Sequence, residues 1–177
     1  MKTCEEIVTY WLCPVEPERS QFARLISDLA ARFDAPLFEP HVTIYVTSAG
    51  QKEPAAILEK VVRYCRPYRL HVRGVDYSDK FTKTLFVQFG PNAELTRLSD
   101  ELRRASASPS DYQLNPHLSL IYKDMPAETK RQLAASIALP FAEVTFDKIK
   151  AVLSPAEIKS RDEVEAWRVI TERQLIP

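Results

Sequence analysis

Glycine and cysteine are scarce in this chain of 177 residues, three of each, and histidine is no commoner. With so little glycine, the punctuation between periodic segments falls to thirteen prolines. The cysteines, Cys4, Cys13 and Cys65, are odd in number and widely spaced, and none forms a C-x-x-C pair. They read as three reduced thiols, partly core. There is no excess charge of either sign: 24 basic and 24 acidic residues give a formal net charge of zero. A protein that grips long nucleic acid by its phosphates carries a basic excess, so any phosphate partner is small or held at one end only. No window approaches the roughly 18 consecutive apolar residues of a membrane span. The first residues, Met1-Lys2-Thr3-Cys4-Glu5-Glu6, are acidic where a secretion signal needs a cationic start and an apolar run. A cytoplasmic protein with no membrane contact is expected.

What is present is a regular alternation of elements. Residues 6–12 read as a strand closed by Pro14. Residues 18–33 read as a helix, with Phe22, Leu25, Ile26, Leu29 and Phe33 at helical spacing. Strand 41–47 and helix 54–66 follow, then strands 68–77 and 84–89 around a polar turn at Ser78-Asp79-Lys80. A helix over 93–105, a loop at 106–110, a strand over 117–122 and a helix over 126–139 come next. Strands 143–153 and 165–173 close the chain, with a polar, turn-like stretch at 154–163 between them. Helices and strands mix throughout with no linker, which means α+β or α/β with helices packed outside sheets.

One short pattern occurs twice. Pro40-His41-Val42-Thr43-Ile44 and Pro116-His117-Leu118-Ser119-Leu120 share the form Pro-His-apolar-hydroxyl-apolar, each at the start of a strand. The half-chains around them have a similar element order, which points to an internal duplication. Side chains alternate faces along a strand. His41, Thr43 and Tyr45 are therefore expected on one face and Val42, Ile44 and Val46 on the other. His117 and Ser119 likewise oppose Leu118 and Leu120. Two such strands related by a pseudo-twofold bring two imidazoles and two hydroxyls to one cleft. The third histidine, His71 in Leu70-His71-Val72-Arg73, lacks both the proline and the hydroxyl and reads as structural.

That set suits phosphodiester hydrolysis. The reaction needs a base to take a proton from water and an acid to give one to the leaving oxygen. Imidazole, with an unperturbed pKa near 6.5, serves as either, and each role is worth roughly 10²–10⁴ in rate. The Thr43 and Ser119 hydroxyls donate to the non-bridging phosphate oxygens, where negative charge must be held. The scheme requires no metal and no cofactor.

On these two H-x-[ST] motifs the chain resembles the two-histidine (2H) phosphoesterase superfamily, and within it the cyclic phosphodiesterase branch. Supporting segments are Tyr10-Trp11-Leu12, residues 36–47, residues 115–122, the helix from Pro126 and Glu165-Ala166-Trp167-Arg168-Val169. The resemblance implies a single bilobal α+β domain over 1–177: two antiparallel sheets with outer helices around a central cleft. It implies metal-independent hydrolysis of a small nucleotide-type cyclic phosphate, either ADP-ribose 1″,2″-cyclic phosphate or a nucleoside 2′,3′-cyclic phosphate, by a monomer. Carried over by position, His41 and His117 are the acid/base pair, with His117 activating water and His41 protonating the leaving oxygen. Thr43 and Ser119 bind phosphate. Tyr122 and Trp11 line the cleft, although simple alternation turns Tyr122 away from His117 unless a bulge or strand end intervenes.

Two other readings stay open. RNA end processing, as in the 2′,5′-ligase/cyclic phosphodiesterase branch, would take an RNA end as partner and use basic residues beside the cleft, such as Lys83, Lys123 and Arg73. A non-catalytic nucleotide or phosphate-binding module would keep the fold without needing both imidazoles. A zinc site wants three or four protein ligands, and two histidines do not supply them. The loops 78–83 and 106–111 are expected to close over the cleft.

Overall fold

A computed structural model of the chain describes residues 5–50 and 53–177. The elements run β1 (Glu6–Pro14), α1 (Glu18–Phe33), β2 (Val42–Ser48), α2 (Pro54–Val62), β3 (Tyr68–Tyr77), a single 3-10 turn (Phe81–Lys83), β4 (Leu85–Phe89), α3 (Ala93–Ala105), β5 (His117–Ile121), α4 (Ala127–Ser136), β6 (Glu143–Pro155), α5 (Arg161–Glu165) and β7 (Arg168–Gln174). The class is α+β with antiparallel pairing throughout. The stretch expected to be a plain turn at 154–163 carries the start of α5, anchored by buried Val164. Helix α2 stops at Val62, short of the predicted 66; Arg66 itself precedes Pro67 and is biased away from helical geometry.

The two expected sheets are joined. Strand order is β1-β2-β5-β4-β3-β6-β7, with β1 also pairing β6 along nearly its whole length. β6 links the halves: Glu143–Phe146 pairs with β3, and the stretch from Lys148 to Leu153 pairs with β7. On the other side, β2 and β5 meet at one residue pair only, Val42↔Leu118. Both side chains of that pair are fully buried. The core packs around them, with Tyr10, Ile44, Tyr45, Leu85, Leu120, Phe146 and Ile149 among its members.

Helix α1 buries Phe22, Ile26, Leu29 and Ala30, which lie along the stripe read from its spacing. Helix α3 begins at an Asn92 side chain that accepts from the Leu95 N–H at 2.9 Å. It buries Leu95, Leu98 and Leu102.

Because β2 meets β5 at a single pair, the rest of that β2 edge has no strand partner there. Side chains cover it instead. Tyr112 Oη donates to the Thr43 carbonyl at 3.0 Å, and Ser99 Oγ on α3 donates to the Ile44 carbonyl at 2.7 Å. Ser110 Oγ donates to the Val46 carbonyl, and the Ser110 N–H donates to Tyr45 Oη at 2.9 Å. The loop expected to close over the cleft is thus tied down along β2. Cys13 and Cys65 are free thiols; burial pushes the Cys13 thiol up to about 12. Cys4 lies outside the described residues. No helix among the described residues is long and apolar enough to cross a membrane.

Candidate active site

The Val42↔Leu118 pair positions the site. Each histidine immediately precedes one member of it. Antiparallel direction runs His41 toward Ser119 and Thr43 toward His117. Val42 and Leu118 point into the core, so their chain neighbours point the other way. His41, Thr43, His117 and Ser119 accordingly line one cavity of ≈ 300 Å³, together with Trp11 and Tyr122. All six residues singled out in the sequence are in this cleft.

Strand alternation then breaks, in the same way in both motifs. β1 and β2 slip register at Tyr10/Trp11, leaving Ile44 unopposed; β4 and β5 slip at Leu85/Phe86, leaving Leu120 unopposed. Each is a β-bulge one residue beyond the hydroxyl. The first bulge overturns the expectation for Tyr45, which joins the core while Val46 lines the cleft. The second returns Tyr122 to the cleft side, where β5 has already ended. Val46 and Tyr122 occupy matching positions three beyond Thr43 and Ser119.

Both imidazoles are held alike. His41 Nδ1 donates to the Glu39 carbonyl at 2.7 Å, and His117 Nδ1 donates to the Asn115 carbonyl at 2.7 Å. A carbonyl only accepts, so Nδ1 carries the proton in each ring and Nε2 is the free nitrogen. Their surroundings differ. His41 is 7% exposed and lies flat on Trp11, with ring centroids 3.8 Å apart and planes 12° from parallel. Burial holds its pKa down to about 4, and the His117 and Lys150 charges push the same way. His117 is less enclosed; burial, then Lys83 and Lys80, hold it below the ordinary histidine range.

Ser119 Oγ donates to the Thr82 carbonyl at 2.8 Å, so the turn in loop 78–83 engages the phosphate-binding candidate directly. The cleft wall also contains Trp167, Thr9 and Tyr112, which sequence reasoning missed as site residues. Trp167 packs edge-on to Trp11 at 5.2 Å, to His41 at 5.9 Å and to Tyr122 at 5.8 Å. Phe38 stacks on Tyr122 at 4.1 Å. The available signal for Trp167 was an aromatic beside the last strand. Of the basic candidates, Lys83 sits over the Phe86 ring, which itself packs against His117. Lys123 follows Tyr122 and donates to the Asp34 carbonyl. Arg73 is exposed beside Gly90, away from the cleft lining. His71 pairs with Glu143 at 3.4 Å, outside the cleft.

Paired H-x-[ST] strands meeting at a cleft between antiparallel strand groups define the two-histidine phosphoesterase class. The pattern of the 2′-5′ RNA ligase superfamily matches residues 11–154, and the chain belongs to that superfamily. It is 23% identical over 177 residues to a cyclic phosphodiesterase of Arabidopsis thaliana, covering 98% of this chain and 97% of the relative. Among solved structures, E. coli LigT in its apo form superposes with a TM-score of 0.60 at 14% identity, over 99% of this chain and 100% of that one. A protein of Thermus thermophilus gives a TM-score of 0.60 at 17% identity, over 96% and 97%. LigT complexed with 3′-AMP gives 0.59 at 11% identity, over 98% and 99%. At these identities the structural likeness is one of fold.

Proposed function

We propose that this protein hydrolyses a cyclic phosphodiester of nucleotide type, either ADP-ribose 1″,2″-cyclic phosphate or a nucleoside 2′,3′-cyclic phosphate, with His41 and His117 as acid/base pair and no metal. The observation that carries the reading is the Val42↔Leu118 pair, which brings both histidines and both hydroxyls to one cavity face. The matching bulges and carbonyl-held imidazoles support an internal duplication as its origin. The Arabidopsis relative's name and the 3′-AMP complex of LigT favour a nucleotide-type ligand. The Trp11, Trp167, Tyr122 and Phe38 rings supply flat apolar surface for one.

The unequal enclosure of the two rings favours a proposal with the roles in the order opposite to the one the family resemblance implies. A bound phosphate monoanion raises both imidazole pKa values. His117 is the less enclosed of the two rings, so on this reading it takes the single proton. His41 then stays neutral, and its free Nε2 takes the proton from water, while His117 delivers its proton to the leaving oxygen. Thr43 Oγ1 and Ser119 Oγ donate to the non-bridging oxygens; for this the Ser119 hydroxyl turns away from the Thr82 carbonyl.

Turnover in EDTA, followed by phosphorus NMR on both cyclic phosphates, tests the reading. Ring opening to a phosphomonoester that persists in EDTA is expected. No ring opening of either substrate, with the folded protein at micromolar concentration, contradicts it.

An RNA end is the second reading. Lys80 and Lys83 near His117 favour it, since they would meet a flanking phosphate. Zero net charge favours the small substrate.

A further inference from the structure

The residue two positions before each histidine is gripped from behind, and the two grips differ in charge. Glu39 offers its carbonyl to His41 Nδ1, while its carboxylate accepts from Lys150 Nζ on β6 at 2.8 and 2.7 Å. Asn115 offers its carbonyl to His117 Nδ1, while its side-chain oxygen accepts from Gln88 Nε2 on β4 at 2.9 Å. Gln88 Nε2 also donates to the Pro116 carbonyl at 2.9 Å. The intervening Pro40 and Pro116 restrict the residue before them to extended geometry, and the side-chain grip fixes what freedom remains.

We propose that Lys150 and Gln88 are positioning residues: each holds, through the backbone of residue 39 or 115, the imidazole that works in the cleft. The catalytic part of this rests on the two-histidine reading above. Lys150 is nearly buried, 9% exposed, and its charged head lies between Glu39 and, at 3.5 Å, Glu172 of β7. A long cation so enclosed, with no place in the cleft lining, is explained by the segment it holds. The Gln88 grip has the same place relative to its histidine and no charge. The two clamps therefore hold equivalent rings at the same place while differing in charge. The charged and titratable groups facing His41 are Lys150 on β6, Glu39 beside it and His117 on β5; its other ring neighbours, Trp11, Phe38 and Trp167, are neutral.

Three variants separate positioning from folding. Lys150→Met removes grip and charge. Glu39→Gln with Lys150→Gln keeps a hydrogen-bonding clamp without charge. Gln88→Leu removes the neutral clamp. Each is assayed for kcat and KM on a nucleoside 2′,3′-cyclic phosphate, and the ring protons of His41 and His117 are titrated by NMR. Lys150→Met and Gln88→Leu are expected to lower kcat by roughly 10- to 10²-fold with KM changed by less than about threefold, since small misplacements of a catalytic group cost rate. The double variant is expected to keep more of kcat than Lys150→Met. His41 is expected to titrate at higher pH in Lys150→Met, where the cation is gone and the Glu39 carboxylate remains, and to titrate little changed in the double variant, which removes both charges of the pair, and in Gln88→Leu. Titration needs no turnover, so the clamp is tested even if the wild type opens neither cyclic phosphate. If Lys150→Met does not fold, the double variant and Gln88→Leu decide. An unmoved His41 titration in Lys150→Met, or wild-type kcat in every folded variant, overturns the proposal.

Discussion

At the scale of single residues, His41 links the site to stability. Buried against Trp11, it resists a proton until the pH is near 4, whereas in the unfolded chain it titrates at the ordinary value near 6.5. Above pH 6.5 the ring is neutral in both states and its contribution is fully present. As pH falls from 6.5 toward 4, only the unfolded chain takes up the proton, so stability declines across that window by roughly 3 kcal/mol. Urea midpoints of wild type and His41→Gln between pH 7 and pH 4 check this: the wild type should lose more. Parallel slopes would mean the ring is not held neutral. The histidines and hydroxyls were legible in the sequence because a repeated pentapeptide is a local signal. Tyr45 and Val46 were placed on the wrong faces because a bulge depends on the partner strand, here the slip at Tyr10/Trp11. The strand end and bulge that return Tyr122 to the cleft were anticipated only as conditions.

At the scale of elements, the starts of β1 to β6, α1 and α3 follow from hydrophobic period and proline placement, whereas the last strand, expected from 165, begins at Arg168 because Glu165 ends α5. Contacts between elements far apart in sequence do not follow from either. The end of β2 is an example. Its carbonyls without a strand partner are met by α3 and by the segment 108–112, and neither link has a local sequence signature. Ser99 is 3% exposed and donates to the Ile44 carbonyl at the bulge itself. Ser99→Ala leaves that buried carbonyl unpaired, and the expected cost is about 1–3 kcal/mol. Chemical denaturation measures it; a change below a few tenths of a kcal/mol would show that the bulge does not need the bond. Trp167, quoted only within a segment supporting the resemblance, was not placed in the cleft for a similar reason. It lies between α5 and β7, in a stretch whose polar composition hides the short helix that sets the ring against Trp11.

At the scale of the whole molecule, β6 joins the two strand groups on one side and the Val42↔Leu118 pair joins them on the other. The cleft lies over that narrow junction. Zero net charge gives the molecule little general attraction for polyanions. KM for a cyclic mononucleotide should therefore change by no more than about threefold between 50 and 200 mM salt, whereas a substrate held by several phosphates would lose roughly 10²-fold or more in affinity. A steep salt dependence for an RNA with a cyclic phosphate end, together with a lower KM, would favour the RNA-end reading.

The proposed division of one hydrolysis, with His41 as base and His117 as acid, makes the two histidine substitutions unequal. It is tested most directly by comparing wild type, His41→Ala and His117→Ala on two substrates: the preferred cyclic phosphate and a p-nitrophenyl phosphodiester of the same nucleoside. Nitrophenolate leaves without a proton. Both variants should lose roughly 10²–10⁴ in kcat/KM on the cyclic phosphate. On the nitrophenyl ester His117→Ala should recover most of the wild-type rate and His41→Ala should not. Recovery by His41→Ala instead would reverse the roles, and turnover indifferent to both histidines would contradict the account.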